Sequence, residues 1–342
     1  LRLRRLTKFS RIELEAERDA LRAEITALQE LLASPALLRA AVAKELDAVA
    51  DAYGTPRRTL LMNAAPPKPR AAKGAVDLQI ADAPTVLVLS TTGRAVRVDL
   101  AEGQELTAAA RRSKHDAILA TISTTVRAEI GAVTSTGRVV RFSPVDLPSV
   151  PSSSVQLGAG TPLRDYLGIT TRGERILGFV DFASDVPLAL GTTQGTVKRI
   201  VPSALPVRPD VEIIGMKPGD SLVGAAEAPD EVELVFVTTD AQLLRFSAST
   251  VRPQGAPAGG MAGIKLGAGA GVLYFGAVAP DADAVVATVS GGDSALPGTE
   301  PGRAKVSSFA EYPSKGRATG GVRAHAFLKG EDRLTVAWVG PH

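Results

Sequence analysis

The sequence has 342 residues, 45% hydrophobic and 22% charged, with 4% aromatic residues and no cysteine. That length accommodates about two domains, the missing cysteines exclude disulfides, zinc fingers and thiol chemistry, and no apolar run reaches the roughly 18 residues of a membrane span. The net charge of +3 is uneven: residues 1–73 hold 14 Lys and Arg against 9 Asp and Glu, and the remainder holds 25 against 27. The 33 glycines and 23 prolines suit many short strands joined by turns. No signal peptide is visible, and a chain opening on Leu1 inside a helical pattern reads as a piece of a longer polypeptide.

Residues 1–53 read as helix. Leu14, Leu21, Ile25, Leu28 and Leu32 fall on one face, while Arg18, Arg22, Glu24 and Glu30 occupy the others. Ser34-Pro35 predicts a restart, with Ser as N-cap and Pro at the first helical position. Leu37, Leu38, Ala41, Val42, Leu46 and Val49 mark a second helix, and Gly54 a stop. This pattern fits a helical hairpin packed on its own domain, or an arm whose apolar face meets another segment. Ala64-Ala-Pro-Pro-Lys-Pro-Arg-Ala-Ala-Lys-Gly74 is a proline-stiffened linker. The expected division is a helical arm over 1–60, a linker over 61–75 and a β-domain over 76–342.

That β-domain is repetitive. Val86-Leu-Val-Leu-Ser-Thr-Thr-Gly-Arg-Ala-Val-Arg-Val98 recurs as residues 130–142, 188–200 and 234–246. A fifth copy, residues 284–290 and 302–306, is split by an insertion. Each reads as a β-hairpin by its two-residue alternation and polar turn. An apolar returning strand follows each, over residues 115–122, 173–180, 219–226, 271–278 and 330–338. One such small sheet cannot bury both its faces, so five units predict a mainly β, propeller-like ring.

Arg97, Arg141, Arg199 and Arg245 occupy one position in four repeats, joined by Arg94, Arg138, Lys198, Arg303 and Lys305. Repetition in a ring would place a row of cations at one radius, able to meet a bent polyanion. With a β-domain that is neutral overall, a propeller acting only as a protein-binding platform stays open. No groove-reading helix is evident, so a nucleic-acid partner would be held by its backbone.

Leu3-Arg-Arg-Leu-Thr7, Leu32-Ala-Ser-Pro35, Glu45-Leu-Asp-Ala-Val49 and Tyr53-Gly-Thr-Pro-Arg-Arg-Thr59 resemble the end of the breakage-reunion region of type IIA topoisomerase A subunits, those of bacterial DNA gyrase and topoisomerase IV. The Gly-x-x-x-Arg hairpins resemble the carboxy-terminal β-pinwheel of the same family. This resemblance implies a five-bladed β-pinwheel preceded by an α-helical coiled-coil arm. It implies duplex DNA as ligand, an A-subunit homodimer, and an ATPase B subunit completing an A2B2 enzyme in the cytoplasm, at the bacterial nucleoid. ATP would be bound by the B subunit, and Mg²⁺ would serve cleavage upstream of this sequence.

No catalytic residue is carried over: Tyr53, Tyr166, Tyr274 and Tyr312 lie after the helix stop, in loops or in strands, and none is nominated as nucleophile. His115, His325 and His342 read as isolated surface residues, without metal-ligand spacing. Gyrase's basic glycine-rich box corresponds to Ala108-Ala-Ala-Arg-Arg-Ser-Lys-His115, which keeps Arg111, Arg112 and Lys114 but lacks the glycines. Gln254-Gly-Ala-Pro-Ala-Gly-Gly-Met-Ala-Gly-Ile-Lys265 is a second glycine-rich segment. Lys315-Gly-Arg-Ala-Thr-Gly-Gly-Val-Arg323 is the most box-like in charge, adding Lys315, Arg317 and Arg323 as DNA-binding candidates. A missing box implies a topoisomerase IV-like enzyme that decatenates and relaxes; a gyrase with a degenerate box is the alternative.

Overall fold

The computed structural model describes residues 2–54, 82–100, 116–152, 155–292 and 302–341, with side chains from residue 11 onward. It divides into two compact units, Leu1–Asp77 and Leu78–His342. The expected linker and most of the Tyr53–Thr59 motif lie outside the described residues.

Unit one contains α1 (Arg2–Ala33) and α2 (Pro35–Tyr53), bent by 105° at the break. Ser34 is the N-cap: its Oγ accepts from the Leu37 amide at 3.4 Å, and Pro35 opens the helix. Gly54 ends α2 in an extended conformation, φ −63°, rather than the left-handed one a glycine stop usually takes. The apolar stripes are exposed, Leu14, Leu21, Ile25, Leu28 and Leu32 on α1 and Leu37, Val42, Leu46 and Val49 on α2. Among the described residues no single helix is long and apolar enough to cross a membrane.

Unit two is built of five small sheets. Blade one is β1 (Pro84–Ser90), β2 (Arg94–Asp99) and β3 (Ile118–Thr125). Blade two opens with the hairpin β4 (Ile130–Thr134) and β5 (Arg138–Phe142). The chain then makes two short strands, β6 (Ser149–Val150) and β7 (Thr161–Pro162), and the one-turn helix α3 (Leu163–Tyr166) before returning as β8 (Ile176–Asp181). Blade three is β9 (Leu188–Thr192), β10 (Thr196–Ile200) and, after β11 (Asp210–Glu212), β12 (Leu222–Glu227). Blade four is β13 (Glu233–Thr238), β14 (Gln242–Ser247) and, after β15 (Met261–Ala262), β16 (Val272–Val278). Blade five is β17 (Ala284–Gly291), β18 (Ala304–Ser308) and, after β19 (Val322–Arg323), β20 (Arg333–Pro341).

The hairpins and returning strands are those the repeats predict. The short strands are an addition: each leaves its own blade and pairs with the blade before it. Both β6 and β7 join β2, while β11 joins β5, β15 joins β10 and β19 joins β14. Every exchanged segment is locked at the hairpin turn it reaches: Leu163, Ile213, Gly263 and Ala324 donate amides to the carbonyls of Gly93, Gly137, Gly195 and Ala241. The turn position has positive φ in all four, near +80° at the glycines and +61° at Ala241.

Between blades the packing is apolar. Leu87, Leu89 and Ala95 of blade one meet Ile130, Ala132 and Phe142 of blade two, and Ala189 and Val197 of blade three meet Phe236, Leu244 and Phe275 of blade four. Gly191 allows the closest approach, since a Cβ there would stand 2.2 Å from the Phe275 ring. The third strands β3, β8, β12, β16 and β20 touch one another in sequence from blade to blade. These third strands therefore gather on the axial side, leaving the exchanged strands and their loops on the opposite rim. Three sequence expectations fail locally. Tyr53 is the last residue of α2 rather than beyond its stop. Tyr166 lies in α3, its hydroxyl donating to the Ser143 carbonyl at 3.0 Å. His325 is 3% exposed rather than on the surface, because its loop folds onto blade five, where its Nδ1 meets the Thr288 hydroxyl at 2.9 Å.

Candidate nucleic-acid interface

The expected row of free cations is not what the hairpins present. Arg97 lies across the joint to blade two, its Nη1 donating to the Val145 carbonyl at 2.9 Å and its guanidinium paired with Asp99. Arg141 donates to the Arg208 carbonyl, pairs with Glu129 at 3.1 Å and stacks on Phe182, 3.6 Å from the ring centre. Arg199 is 2% exposed, donates to the carbonyls of Ala248 and Val251 at 2.7 and 3.2 Å, and pairs with Asp230. Arg245 donates to the Phe309 carbonyl and pairs with Glu233 at 3.2 Å. Strand alternation turns this position toward the next blade, where a polar backbone turn awaits a donor.

Its neighbours are also engaged. Arg94 donates to the Gly160 carbonyl at 2.6 Å. Arg138 reaches the buried Glu174 through Nε and Nη2 at 2.8 and 2.9 Å, and Asp210 through Nη1. Burial works against the Glu174 charge, but the bonds from Arg138, Thr136 and Thr134 prevail and bring its pKa to about 2. Lys198 is fully buried, its ammonium held by the carbonyls of Ile213, Gly255, Ala256 and Ala258 at 2.7–2.8 Å. Desolvation lowers its pKa to about 8, partly offset by Glu212. Arg303 pairs with Glu331 at 2.9 Å, and Lys305 donates to the Ala324 carbonyl. Arg111, Arg112, Lys114, His115 and His342 lie outside the described residues.

A different group of cations sits on the rim loops. Between β14 and β16, residues 248–271 carry Arg252 and Lys265 and no acid; between β18 and β20, residues 309–332 carry Lys315, Arg317, Arg323 and Lys329, with Glu311, Glu331 and Asp332 near the strand ends and no acid from 312 to 330. These cations are all exposed except Arg317, which is half-buried. In contrast, the loop between β10 and β12 balances Arg208 and Lys217 with Asp210, Glu212 and Asp220.

The two loops are joined. Lys265 donates its amide to the Thr319 carbonyl at 3.0 Å, Ala318 donates to Gly263, and Arg317 Nη1 donates to the Ala262 carbonyl. Lys315 Nζ caps the Gly321 carbonyl at 3.0 Å, and Gly321 adopts positive φ, +77°, where a Cβ would stand 2.4 Å from the Leu243 carbonyl oxygen. They form one cationic surface spanning two blades, shaped to meet a polyanion backbone, with no carboxylate in residues 248–271 or 312–330. Lys315, Arg317 and Arg323 are brought together here. Lys265 joins them although the repeat pattern does not single it out; the usable signal is the run of residues without Asp or Glu.

A family model described as the DNA gyrase C-terminal domain, a β-propeller, matches residues 233–278 and 298–336. The DNA gyrase A subunit of Mycolicibacterium smegmatis (strain ATCC 700084 / mc(2)155) is 28% identical over 335 residues, which cover 94% of this chain and 37% of that protein. The DNA gyrase A subunit of Deinococcus deserti is 28% identical over 339 residues, 94% of this chain and 39% of that protein. This chain thus spans under two-fifths of the length of these relatives. A structure of the C-terminal domain of DNA topoisomerase IV superposes with a TM-score of 0.60 at 20% identity, covering 77% of this chain and 79% of that one. The E. coli ParC C-terminal domain gives a TM-score of 0.50 at 16% identity, over 77% of this chain and 100% of that one. At these identities the two structures establish the fold alone: a five-bladed β-pinwheel. Taken together with the ordered repeats, the matches show that this chain is similar to the carboxy-terminal part of type IIA topoisomerase A subunits.

Proposed function

We propose that residues 78–342 bind and bend duplex DNA at the backbone, presenting a segment for strand passage by a type II topoisomerase. The observation that carries this reading is the joined pair of loops bearing Arg252, Lys265, Lys315, Arg317, Arg323 and Lys329, with no acid in residues 248–271 or 312–330. Arg94, Arg97, Arg138, Arg141, Lys198, Arg199 and Arg245 support the surface from within, and Arg111, Arg112 and Lys114 are further DNA-binding candidates by sequence. If about six phosphates are neutralised, log affinity falls against log salt with a slope near −5. Binding of the chain to a short duplex, titrated with salt, tests this. No binding at low salt would sink the DNA reading in favour of a protein-binding propeller.

On this reading the helices α1 and α2 are part of a coiled-coil arm of the breakage-reunion region, and their exposed apolar stripes meet the rest of that region. The complete enzyme would be an A2B2 assembly in the bacterial cytoplasm, with Mg²⁺ at the cleavage site and ATP on the B subunit. This part would supply geometry to that enzyme, and cleavage would belong to the breakage-reunion region. A box without its glycines favours decatenation and relaxation. The naming of the matched relatives as gyrase favours negative supercoiling. Pairing the full-length A subunit with its B subunit on relaxed and catenated circles separates the two activities.

A further inference from the structure

The arginines repeated at one hairpin position do the same job at four successive joints. Each stands on the second hairpin strand of one blade and donates to the backbone of the turn that follows the hairpin of the next. Arg97 reaches Val145, Arg141 reaches Arg208, Arg199 reaches Ala248 and Val251, and Arg245 reaches Phe309. Main-chain bonds accompany them at the same residues: Arg97 and Arg141 donate amides to Pro148 and Pro209, and the carbonyls of Arg199 and Arg245 accept from Gln254 and Lys315. The exchanged strands beside them pair over only two or three residues, too few to fix an angle alone. In blade five the position is Val306, 64% exposed, so the series comprises four arginines for four joints.

We propose that Arg97, Arg141, Arg199 and Arg245 are positioning residues: they set the angle between neighbouring blades and so the curvature of the cationic rim. The consequence for DNA rests on the DNA-binding reading above; the control of blade angle does not. An array with these staples loosened would still hold phosphates through its loops, but would bend the duplex less.

The cysteine-free sequence allows site-directed spin labelling without background. Labels at Gln194→Cys and Ala268→Cys, both exposed, report the joint between blades three and four. Labels at Arg172→Cys and Gln194→Cys report the joint between blades two and three. In the 342-residue chain, Arg199→Gln is expected to shift and broaden the first distance distribution and leave the second unchanged, with Arg199→Lys intermediate. Because Arg199→Gln removes a buried donor set, Arg199→Lys serves if that variant does not fold. End-to-end energy transfer on a saturated, doubly labelled duplex is expected to show a smaller bend, with low-salt affinity held within about twofold. An unchanged first distribution in a folded variant would overturn the proposal, as would loss of affinity with distances intact, which would make Arg199 a direct phosphate contact. If the unsubstituted chain fails to bend DNA, the DNA reading falls while the label distances still decide the role of Arg199.

Discussion

Cations on the hairpin strands and cations on the rim loops differ in what surrounds them. On the strands, Arg138 has Glu174 and Asp210, Arg199 has Asp230 and two carbonyls, and Lys198 has four carbonyls and no exposure. On the loops, Lys265 lies in a connection with no carboxylate, and Lys315, Arg317 and Arg323 lie in a run without one, residues 312–330. Even spacing along a repeat therefore marks a recurring need, and here the recurring need is to bond a neighbouring blade. An unbalanced charge exposed on two joined loops is the better indicator of a polyanion partner.

The contrast breaks most sharply at Lys198. Replacing it with Met removes the donor shared by four carbonyls, of which those of Gly255 and Ala258 keep a backbone amide, and each buried acceptor left unsatisfied costs about 1–3 kcal/mol. Denaturant unfolding of Lys198→Met is expected to show that loss, while the fraction still folded keeps its low-salt DNA affinity. A DNA defect without a stability defect would move Lys198 into the binding group.

Acid offers a second route to the strand group. Glu174 has its pKa depressed to about 2, chiefly because Arg138 and the threonine hydroxyls outweigh burial. A depressed carboxyl stabilises the fold fully above its unfolded pKa near 4.3 and loses that contribution as pH falls toward 2, here about 3 kcal/mol. Stability measured from pH 6 to pH 2 is expected to fall in that window, and Glu174→Gln to flatten the curve. An unchanged slope in the variant would place the acid-sensitive group elsewhere.

The loop group is expected to behave in the opposite way. Changing Lys265, Lys315, Arg317 and Arg323 together to Gln alters surface residues, so unfolding should move by no more than about 1 kcal/mol. Affinity should drop about 100-fold at moderate salt, some 2–3 kcal/mol, and the salt slope should become less negative by about 3–4. A quadruple variant that binds normally would transfer the DNA interface back to the hairpins or to blade one.

Much of the fold was legible because five hairpins of one pattern announce themselves by period. The exchanged strands were not: β7, β15 and β19 are two residues long, lie among Gly and Pro, and find their partners in another repeat. Sequence also showed that Arg97, Arg141, Arg199 and Arg245 were equivalent, but not what they faced. That depends on Val145, Arg208, Ala248 and Phe309, whose carbonyls arrive only when blades stack. The basic segment 315–323 was visible from its charge; its union with Lys265 follows from three hydrogen bonds between loops 54 or more residues apart.

The smallest expected effect lies where the two loops join. Ala318 is exposed, adopts φ +66° and donates its amide to Gly263. A left-handed non-glycine residue carries about 1–2 kcal/mol of steric cost, which Ala318→Gly would relieve. Glycine also raises the entropy lost on folding, by roughly 0.5–1 kcal/mol, so the net gain in stability should not exceed about 1.5 kcal/mol. The DNA affinity of this variant is the informative quantity. If the alanine serves to hold the loop in a shape suited to phosphate, Ala318→Gly should be slightly more stable yet bind more weakly, with the salt slope unchanged because no charge is lost. Stability and affinity rising together would instead mean that the strained conformation is incidental, and that the joined loops act through their charge alone.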